Sequence, residues 1–389
     1  MSTVKSIYLQ HLNGTTPNAT MDTNGNFTVG GTVSGASSNM FRNRLINGAM
    51  VIDQRNAGAS VTQSTSTGYT VDRWACYGTQ ASKFTVQQNA AAVTPPVGYS
   101  YYLGCTSSSA YSITSTDRFQ IAQPIEGINM IDLAWGTANA KTVTLSFWVY
   151  SSLTGTFGGS VFNYDGSRSC PFSYTISSAN TWTYITVTIT GDTTGTWYRT
   201  AAPYAVALNV LLSLGSGSTL SGTAGTWAGA FYTSATGATS VVGVSGATFY
   251  VTGIQFEIGS TATPFEFRHF TTELQLCQRY YEKSYLIEHV PGTNTTYGIS
   301  TGIVDGGSST AIACNITYRV TKRTAPSVSF WKFDGTANVW ARNTDNASSG
   351  TLTYPWGGGT HGLYRIDSSG QALSTTYMFH GHWVASAEL

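Results

Sequence analysis

Charge is what this chain has least of. Asp, Glu, Lys and Arg make up 10% of its 389 residues, against about 25% in an ordinary soluble domain. A surface so poor in charge is covered by Ser, Thr, Asn, Gly and aromatic side chains, or is hidden in a larger assembly. The formal net charge of +1 leaves no field of either sign, and no charge run occurs. Nucleic acid and an anionic membrane are therefore excluded as electrostatic partners. Long apolar runs are missing too. No segment reaches the roughly 18 uninterrupted apolar residues of a membrane span, and the opening MSTVKSIYLQHLNG lacks the apolar core of a signal peptide. Cysteine is scarce. Cys76, Cys105, Cys170, Cys277 and Cys314 are odd in number, with no CxxC pair. They read as small buried hydrophobes of a chain made in a reducing cytoplasm.

Catalytic signatures are equally thin: there is no P-loop, no GxGxxG after a strand, no HExxH and no GxSxG. Sugar hydrolysis needs two acids about 5 to 10 Å apart, and the acids here are dispersed. Asp53, Asp72, Asp117, Glu126 and Asp132 are the densest set, and structural pairing with neighbours such as Arg55, Arg73 and Arg118 outweighs catalysis. His380 and His382 share a face if FHGHW is a strand, but two ligands are too few for a metal, so stacking is expected of them. No cofactor follows from the sequence, and a structural metal has no support in it.

What is present is β structure. Residues 1–40 form an arm rich in Asn, Thr and Gly, whose MDTNGNFTVGGTVSG carries hairpin punctuation. Ile7, Tyr8, Leu9, Phe27 and Val29 give this arm apolar handles for docking. From 41 to 270 the pattern alternates. In KTVTLSFWVY, Val143, Leu145, Phe147 and Val149 point one way while Thr144, Ser146, Trp148 and Tyr150 point the other. In TWTYITVTIT, Ile185, Val187 and Ile189 face Trp182, Tyr184, Thr186 and Thr188 across the strand. Such strands predict an antiparallel sandwich of jelly-roll type. In GATFYVTGIQFEIG the apolar phase shifts at Gly253, which predicts a bulge there. Gly-Thr-aromatic triplets at Gly155–Phe157, Gly195–Trp197 and Gly225–Trp227 read as turn exits.

TTELQLCQRYYEKSY is the one helical stretch, assigned to residues 271–286. Thr272 sits at a cap, Gln275 at the capping-box position, and Leu274, Cys277, Tyr281 and Tyr285 form one stripe for packing between domains or subunits. Residues 287–389 return to β structure, with AIACNITYRV, PSVSFWKF and TTYMFHGHWVASAEL as strands of a smaller C-terminal β-sandwich.

Aromatic residues carry the functional signal. Sugars present flat C–H faces that stack on rings, and their hydroxyls suit Asn, Gln and Ser partners. Two sets of candidates follow. Trp148, Tyr150, Trp182 and Tyr184 lie on the outer face of the sandwich. Tyr297, Trp340, Arg342, Asn343, Tyr354 and Trp356 lie in the Gly- and Asn-rich loops of the C-terminal domain, where binding groups are often placed on a rigid β scaffold. Packing against another subunit is the competing use of each.

The runs NRLINGAMVIDQR, TVDRWACYG, QPIEGINMIDLAWGTANAKTVTLSFWVYSSLTGTFGGS, GDTTGTW, GATFYVTGIQFEIGSTATPFEFR and ELQLCQRYYEKS together resemble a family of bacteriophage tail-fibre and related virion proteins. Their central region is similar to a carbohydrate-binding-module jelly roll, and the resemblance covers residues 41–285. It implies a homotrimeric virion appendage made in the bacterial host cytoplasm. Residues 1–40 would attach to other virion proteins, and the C-terminal domain would form the tip. The function expected on this basis is recognition of host surface polysaccharide without cleavage, as a receptor-binding protein and not an enzyme. The alternatives are a purely structural virion adaptor or capsid-decorating protein and, from a different class, a glycan-depolymerising spike. Charge depletion suits an obligate interface, which is rich in Tyr, Trp and Phe.

Overall fold

The computed structural model describes residues 41–305, 310–353, 359–369, 373–374 and 376–389, together with three short strands of the arm. Those strands, β1 (Ile7–Leu9), β2 (Ala19–Met21) and β3 (Phe27–Val29), form one antiparallel sheet, in keeping with the hairpin punctuation between them. The docking expected of the arm's apolar side chains lies outside the described residues.

Residues 61–258 build a sandwich. Its strands in chain order are β4 (Val61–Thr62), β5 (Gly68–Tyr69), β6 (Ala75–Gly78), β7 (Phe84–Gln88), β8 (Leu103–Ser107), β9 (Arg118–Glu126), β10 (Val143–Ser151), β11 (Gly155–Asn163), β12 (Ser169–Ile176), β13 (Thr183–Ile189) and β14 (Val206–Ser216). A short parallel pair follows, β15 (Ser221–Gly222) with β16 (Ser234–Ala235), and then β17 (Thr248–Ile258). Two six-stranded antiparallel sheets result. The first runs β13-β10-β17-β8-β7-β4 and the second β12-β11-β14-β9-β6-β5.

The alternation read from the sequence decides which face is inside. Val143, Leu145, Phe147, Val149, Ile185 and Ile189 enter one buried core with Leu208, Val210, Leu212, Phe249, Val251 and Phe256, each side chain contributing about 1.5–3 kcal/mol of apolar burial. The phase shift at Gly253 is a bulge. Ser146 pairs with Gln255 and Trp148 with Thr252, so Gly253 and Ile254 stand opposite Phe147 alone. Gly253 has a φ of 62°, a conformation glycine adopts at no steric cost. All three Gly-Thr-aromatic triplets serve the core: Phe157 is fully buried in it, and Trp197 and Trp227 pack edge-to-face with each other and with Trp135 at 4.8–5.3 Å. The five cysteines are all free and buried.

The helix is shorter than its sequence predicts. α1 spans Phe270–Gln278, its N-cap is His269 with no side-chain cap bond, and the chain then re-extends as β18 (Tyr281–Lys283). Tyr281 and Tyr285 therefore do not continue the stripe of Leu274 and Cys277. Tertiary pairing overrides the helical period: Tyr281, Glu282 and Lys283 pair with Ser386, Ala385 and Val384. Cys277, Tyr281 and Tyr285 are nonetheless all buried within this chain. Arg55 lies 3.7 Å over the Tyr281 ring, and Tyr285 stacks at 3.7 Å on His382.

Beyond it lie β19 (Ser300–Val304), β20 (Ala311–Thr317), β21 (Ser327–Trp331), β22 (Ala341–Arg342), β23 (Thr351–Thr353), β24 (Gly362–Ser369) and β25 (Met378–Ser386). With β18 they form a single eight-stranded sheet, curled around its own core of Ile312, Ile316, Phe330, Trp340, Leu363, Ile366 and Phe379. β25 is its axis, pairing with β18, β19, β21 and β22. His380 and His382 are spent on stacking, the first on Phe333 at 5.6 Å and the second on Tyr285.

Paired charges, most of them at least partly buried, join the two β units. Arg279 grips the buried Glu126 carboxylate with two bonds of 2.8 Å. Within the C-terminal unit, Lys322 donates to Glu282 of β18 at 2.5 Å with both groups buried, and to Gln278 O of α1 at 2.6 Å. Arg323 donates to the carbonyls of Ala387, Glu388 and Tyr204. Most enclosed is Arg73, which donates to Glu388 and to Pro124 O (2.8 Å) and covers the Tyr280 ring at 3.5 Å. Arg55 reaches the other oxygen of Glu388 at 2.5 Å and Asp72 at 3.3 Å. The acids that looked densest in sequence are thus structural pins, with Asp132 bound to Arg44 at 2.5 Å. Arg118 is the exception, with no acid partner among the described residues.

Removing one member of a buried pair strands the other charge, at about 3–5 kcal/mol. Glu388→Gln should therefore lower the unfolding free energy obtained from denaturant titration by an amount in that range, whereas an unchanged value would show that Arg73 finds another partner. A chain beginning at residue 41 should fold and melt within a few degrees of the full chain. The sandwich closes on residues 41–43 through Glu266, which accepts the amides of Phe41, Arg42 (3.2 Å) and Asn43 (2.9 Å). Failure of that truncated chain to fold would place the arm in the core.

Candidate functional site

Two aromatic surfaces stand on opposite outer faces of the sandwich. On the first sheet, alternation sends Trp148 and Tyr150 of β10 and Tyr184 of β13 outward, and Trp182 joins them. Trp148 and Tyr184 are direct cross-strand partners with rings 5.2 Å apart. Tyr150 packs on Trp182 (5.5 Å) and stacks on Tyr250 (5.4 Å), which in turn stacks on Tyr102 (5.2 Å).

This face is half-roofed. Residues 90–101 cross it, with Trp182 Nε1 donating to Thr94 O (2.8 Å), the Tyr102 hydroxyl to Ala90 O, and Thr252 Oγ1 to Tyr101 O (2.7 Å). Tyr102, Tyr250, Tyr150 and Trp182 are consumed in a second small core under that roof. Trp148 and the 44%-exposed Tyr184 stay accessible. Beside them Tyr99, Phe265 and Phe267 form an edge-on cluster with centroids 4.8–5.5 Å apart. Tyr99 sits over the Gly253 bulge, where an added Cβ would come 2.6 Å from its hydroxyl. Burial and the nearby Tyr184 push Tyr99 up to about 12, so its hydroxyl stays protonated.

On the second sheet the pleat lays out a groove. β9 turns Arg118, Gln120, Ala122 and Pro124 outward, since Phe119, Ile121 and Ile125 are in the core. Its neighbours place Tyr77 beside Gln120, Ala75 beside Ala122, and Asn209 beside Pro124, while Phe162 pairs with Asn209 from the next strand. Residues 221–235 cover the other half of this face, Ser169 Oγ donating to Ala230 O (2.6 Å) and Phe231 lying edge-on to Phe162 at 5.0 Å.

What remains open is a cavity of about 250 Å³. Small side chains and amides form its floor, and Tyr69 and Tyr77 face Phe162 and Tyr164 across it. Gln120 Oε1 is buried and accepts no hydrogen bond from any described residue. None of the lining side chains is a carboxylate. The Tyr69 hydroxyl donates to Leu389 O (2.7 Å), and burial together with Glu388 pushes its pKa up to about 12. Rings on both walls and amides on the floor are the equipment for holding a sugar by stacking and hydroxyl bonding.

The loop candidates of the C-terminal domain are dispersed. Trp340 is fully buried, its Nε1 donating to His382 O (3.0 Å). It fills the space over Gly381, where a Cβ would meet the indole at 2.2 Å. It is a core residue and not an exposed anchor. Arg342 is chelated by Asp345 and lies over Tyr377 at 4.4 Å. Asn343 is tied to Met378 by its backbone amide (3.0 Å) and by Oδ1 (3.2 Å). Tyr297 is exposed, with His289 stacked 6.5 Å away. Tyr354 and Trp356 lie outside the described residues. A polar cavity of about 360 Å³ opens where β25 exchanges β18 for β19, lined by Ser284, Ser300, Asn315, Arg319 and Trp383.

Sequence reasoning missed the groove because β6 and β9 carry small residues where an anchor would be sought. The available signal was the outward row Arg118, Gln120, Ala122, Pro124 in RFQIAQPIE beside a lone outward Tyr77.

No protein-family model matches this chain, and no curated protein matches it. Several solved structures are similar in part, three of them as follows. The enzymatically active domain of tailspike protein 4 of bacteriophage CBA120 matches 56% of this chain and 22% of its own, at TM-score 0.30 and 12% identity. A CBM4 structure matches 55% of this chain and 98% of its own, at TM-score 0.27 and 14% identity. The structure of TmCBM61 with β-1,4-galactotriose matches 48% and 88%, at TM-score 0.25 and 9% identity. These likenesses assign no residue of either surface.

Proposed function

We propose that the chain is a non-enzymatic, glycan-binding subunit of a virion appendage, with the groove on the second sheet as its sugar site. The groove itself carries this reading, through paired aromatic walls, an amide floor and a buried Gln120 oxygen that no described residue supplies with a donor. An unpartnered buried acceptor costs about 1–3 kcal/mol, and a ligand hydroxyl would supply the missing bond. The virion setting rests on the sequence blocks that resemble tail-fibre proteins.

Assembly as a homotrimer is the companion proposal. Phe41, Ile128, Ile131, Phe267 and Phe270 are large apolar side chains left exposed. Phe41 lines two adjoining cavities of about 250 and 270 Å³, one with Phe267 and the other with Ile128 and Leu276 of α1. Contiguous apolar surface of this kind marks interaction sites, and it gives the helix a second role toward a partner subunit. The alternative of a structural adaptor draws on the other aromatic face, where Trp148, Tyr184 and Phe267 would serve subunit contacts instead of sugar.

Binding of purified host surface polysaccharide, followed together with release of reducing ends, separates these readings. Wild type should bind without releasing ends, and Tyr77→Ala or Phe162→Ala should each weaken binding by about 2 kcal/mol if the rings are anchors. Loss in Trp148→Ala or Tyr184→Ala instead would move the site to the first sheet. No binding would favour the adaptor.

A further inference from the structure

We infer that the glycan taken by this groove carries an N-acetylated amino sugar, its acetamido group seated between Gln120 and the paired alanines Ala75 and Ala122. The inference rests on the groove being the sugar site and adds the class of sugar. All three side chains line the one cavity. Ala75 and Ala122 are direct cross-strand partners, so their methyl groups stand about 5 Å apart on the outward face. At 8% and 5% exposed, they form the bottom of a shallow well. Beside Ala122 on its other flank is the buried Leu211 of β14, and next along the same face of β9 is Pro124. These neighbours are apolar.

Gln120 lies one pleat step from Ala122, roughly 7 Å along β9. Its Oε1 is buried and receives no donor from any described residue. Ser213 stands across from it on β14, but the Ser213 Oγ is taken up by Ser216 Oγ (3.0 Å) and Gly215 N (3.2 Å). The Gln120 amide thus presents Oε1 as acceptor and Nε2 as donor, side by side. A sugar hydroxyl next to an acetamido group presents the matching pair: the O–H donates to Oε1, and the acetamido carbonyl accepts from Nε2. The acetamido methyl, bonded to that same carbonyl carbon, then falls over the two alanines. Two adjacent hydroxyls would serve the amide equally well, yet they leave the well empty or bury a hydroxyl there without a partner, which is unfavourable. A free amine would set donor against donor. Charge of either sign has no counterpart, because no charged side chain lines the cavity. Rings on the walls bind the sugar face, and the well selects its acetamido group.

The test uses the full chain on an array of bacterial surface polysaccharides of known repeat, some with N-acetylated amino sugars and some of hexoses alone. Chitohexaose and cellohexaose, which differ only in acetamido for hydroxyl, are included as probes. Each polysaccharide that binds is then N-deacetylated and re-N-acetylated. Wild type, Gln120→Met, Ala122→Val and Phe162→Ala are compared, with thermal melts confirming that each is folded. The expected result is binding confined to chains with N-acetylated sugars, lost on deacetylation and restored on re-N-acetylation. Gln120→Met and Ala122→Val should each bind about tenfold more weakly, the worth of a hydrogen bond or a seated methyl group. Equal binding to hexose-only chains, binding that survives deacetylation, or binding that Gln120→Met and Ala122→Val retain while Phe162→Ala loses it, overturns the acetamido class and leaves the sugar site standing. Absence of binding to every member, or binding that Phe162→Ala leaves untouched, overturns the sugar site itself.

Discussion

The arrangement turns on one buried guanidinium. Arg73 stands in left-handed backbone, at φ 72°, between the sandwich and the C-terminal sheet. A charge this deeply enclosed must be paired. Its pairing with Glu388 draws the last residues of the chain back across the sandwich. The same arginine donates to Pro124 O beneath the groove floor, and the residue after its partner, Leu389, takes the hydroxyl of Tyr69 on the groove wall. Fold and candidate site are thus fastened at one point, and a sugar surface on the sandwich is shaped in part by the far end of the chain.

The shortage of charge acquires a physical meaning beside this. The few acids are used as clamps on backbone that no sheet satisfies. Glu266 takes the amides that open the sandwich, Asp53 those of Arg55, Asn56 and Gly58, and Asp192 that of Thr194 as well as the Trp197 indole. Carboxylates accepting several N–H donors are stabilised as anions. Little charge is left for the surface.

Much of the sandwich was legible in the sequence. The period of two in KTVTLSFWVY and TWTYITVTIT fixed the core face of β10 and β13, and the phase shift at Gly253 located the bulge. The helix end was not legible, because pairing of β18 with β25 lies about a hundred residues away in sequence, where local period is silent. Trp340 sits in a stretch with loop composition, and the sign of its burial was elsewhere: Gly381 in FHGHW, a strand glycine that marks close approach. The groove required knowing that β6, β9, β14 and β11 are neighbours, which no single strand reveals. The outer aromatics of the first sheet did come together as read, although half of them are roofed by residues 90–101.

The measurement that bears most directly on the central claim is a crystal structure with an oligosaccharide prepared from a polysaccharide the protein binds. A sugar ring lying between Tyr77 and Phe162, with a hydroxyl donating to Gln120 Oε1, is the predicted result. An empty groove, with the sugar instead on Trp148 and Tyr184 or in the C-terminal domain, would contradict it.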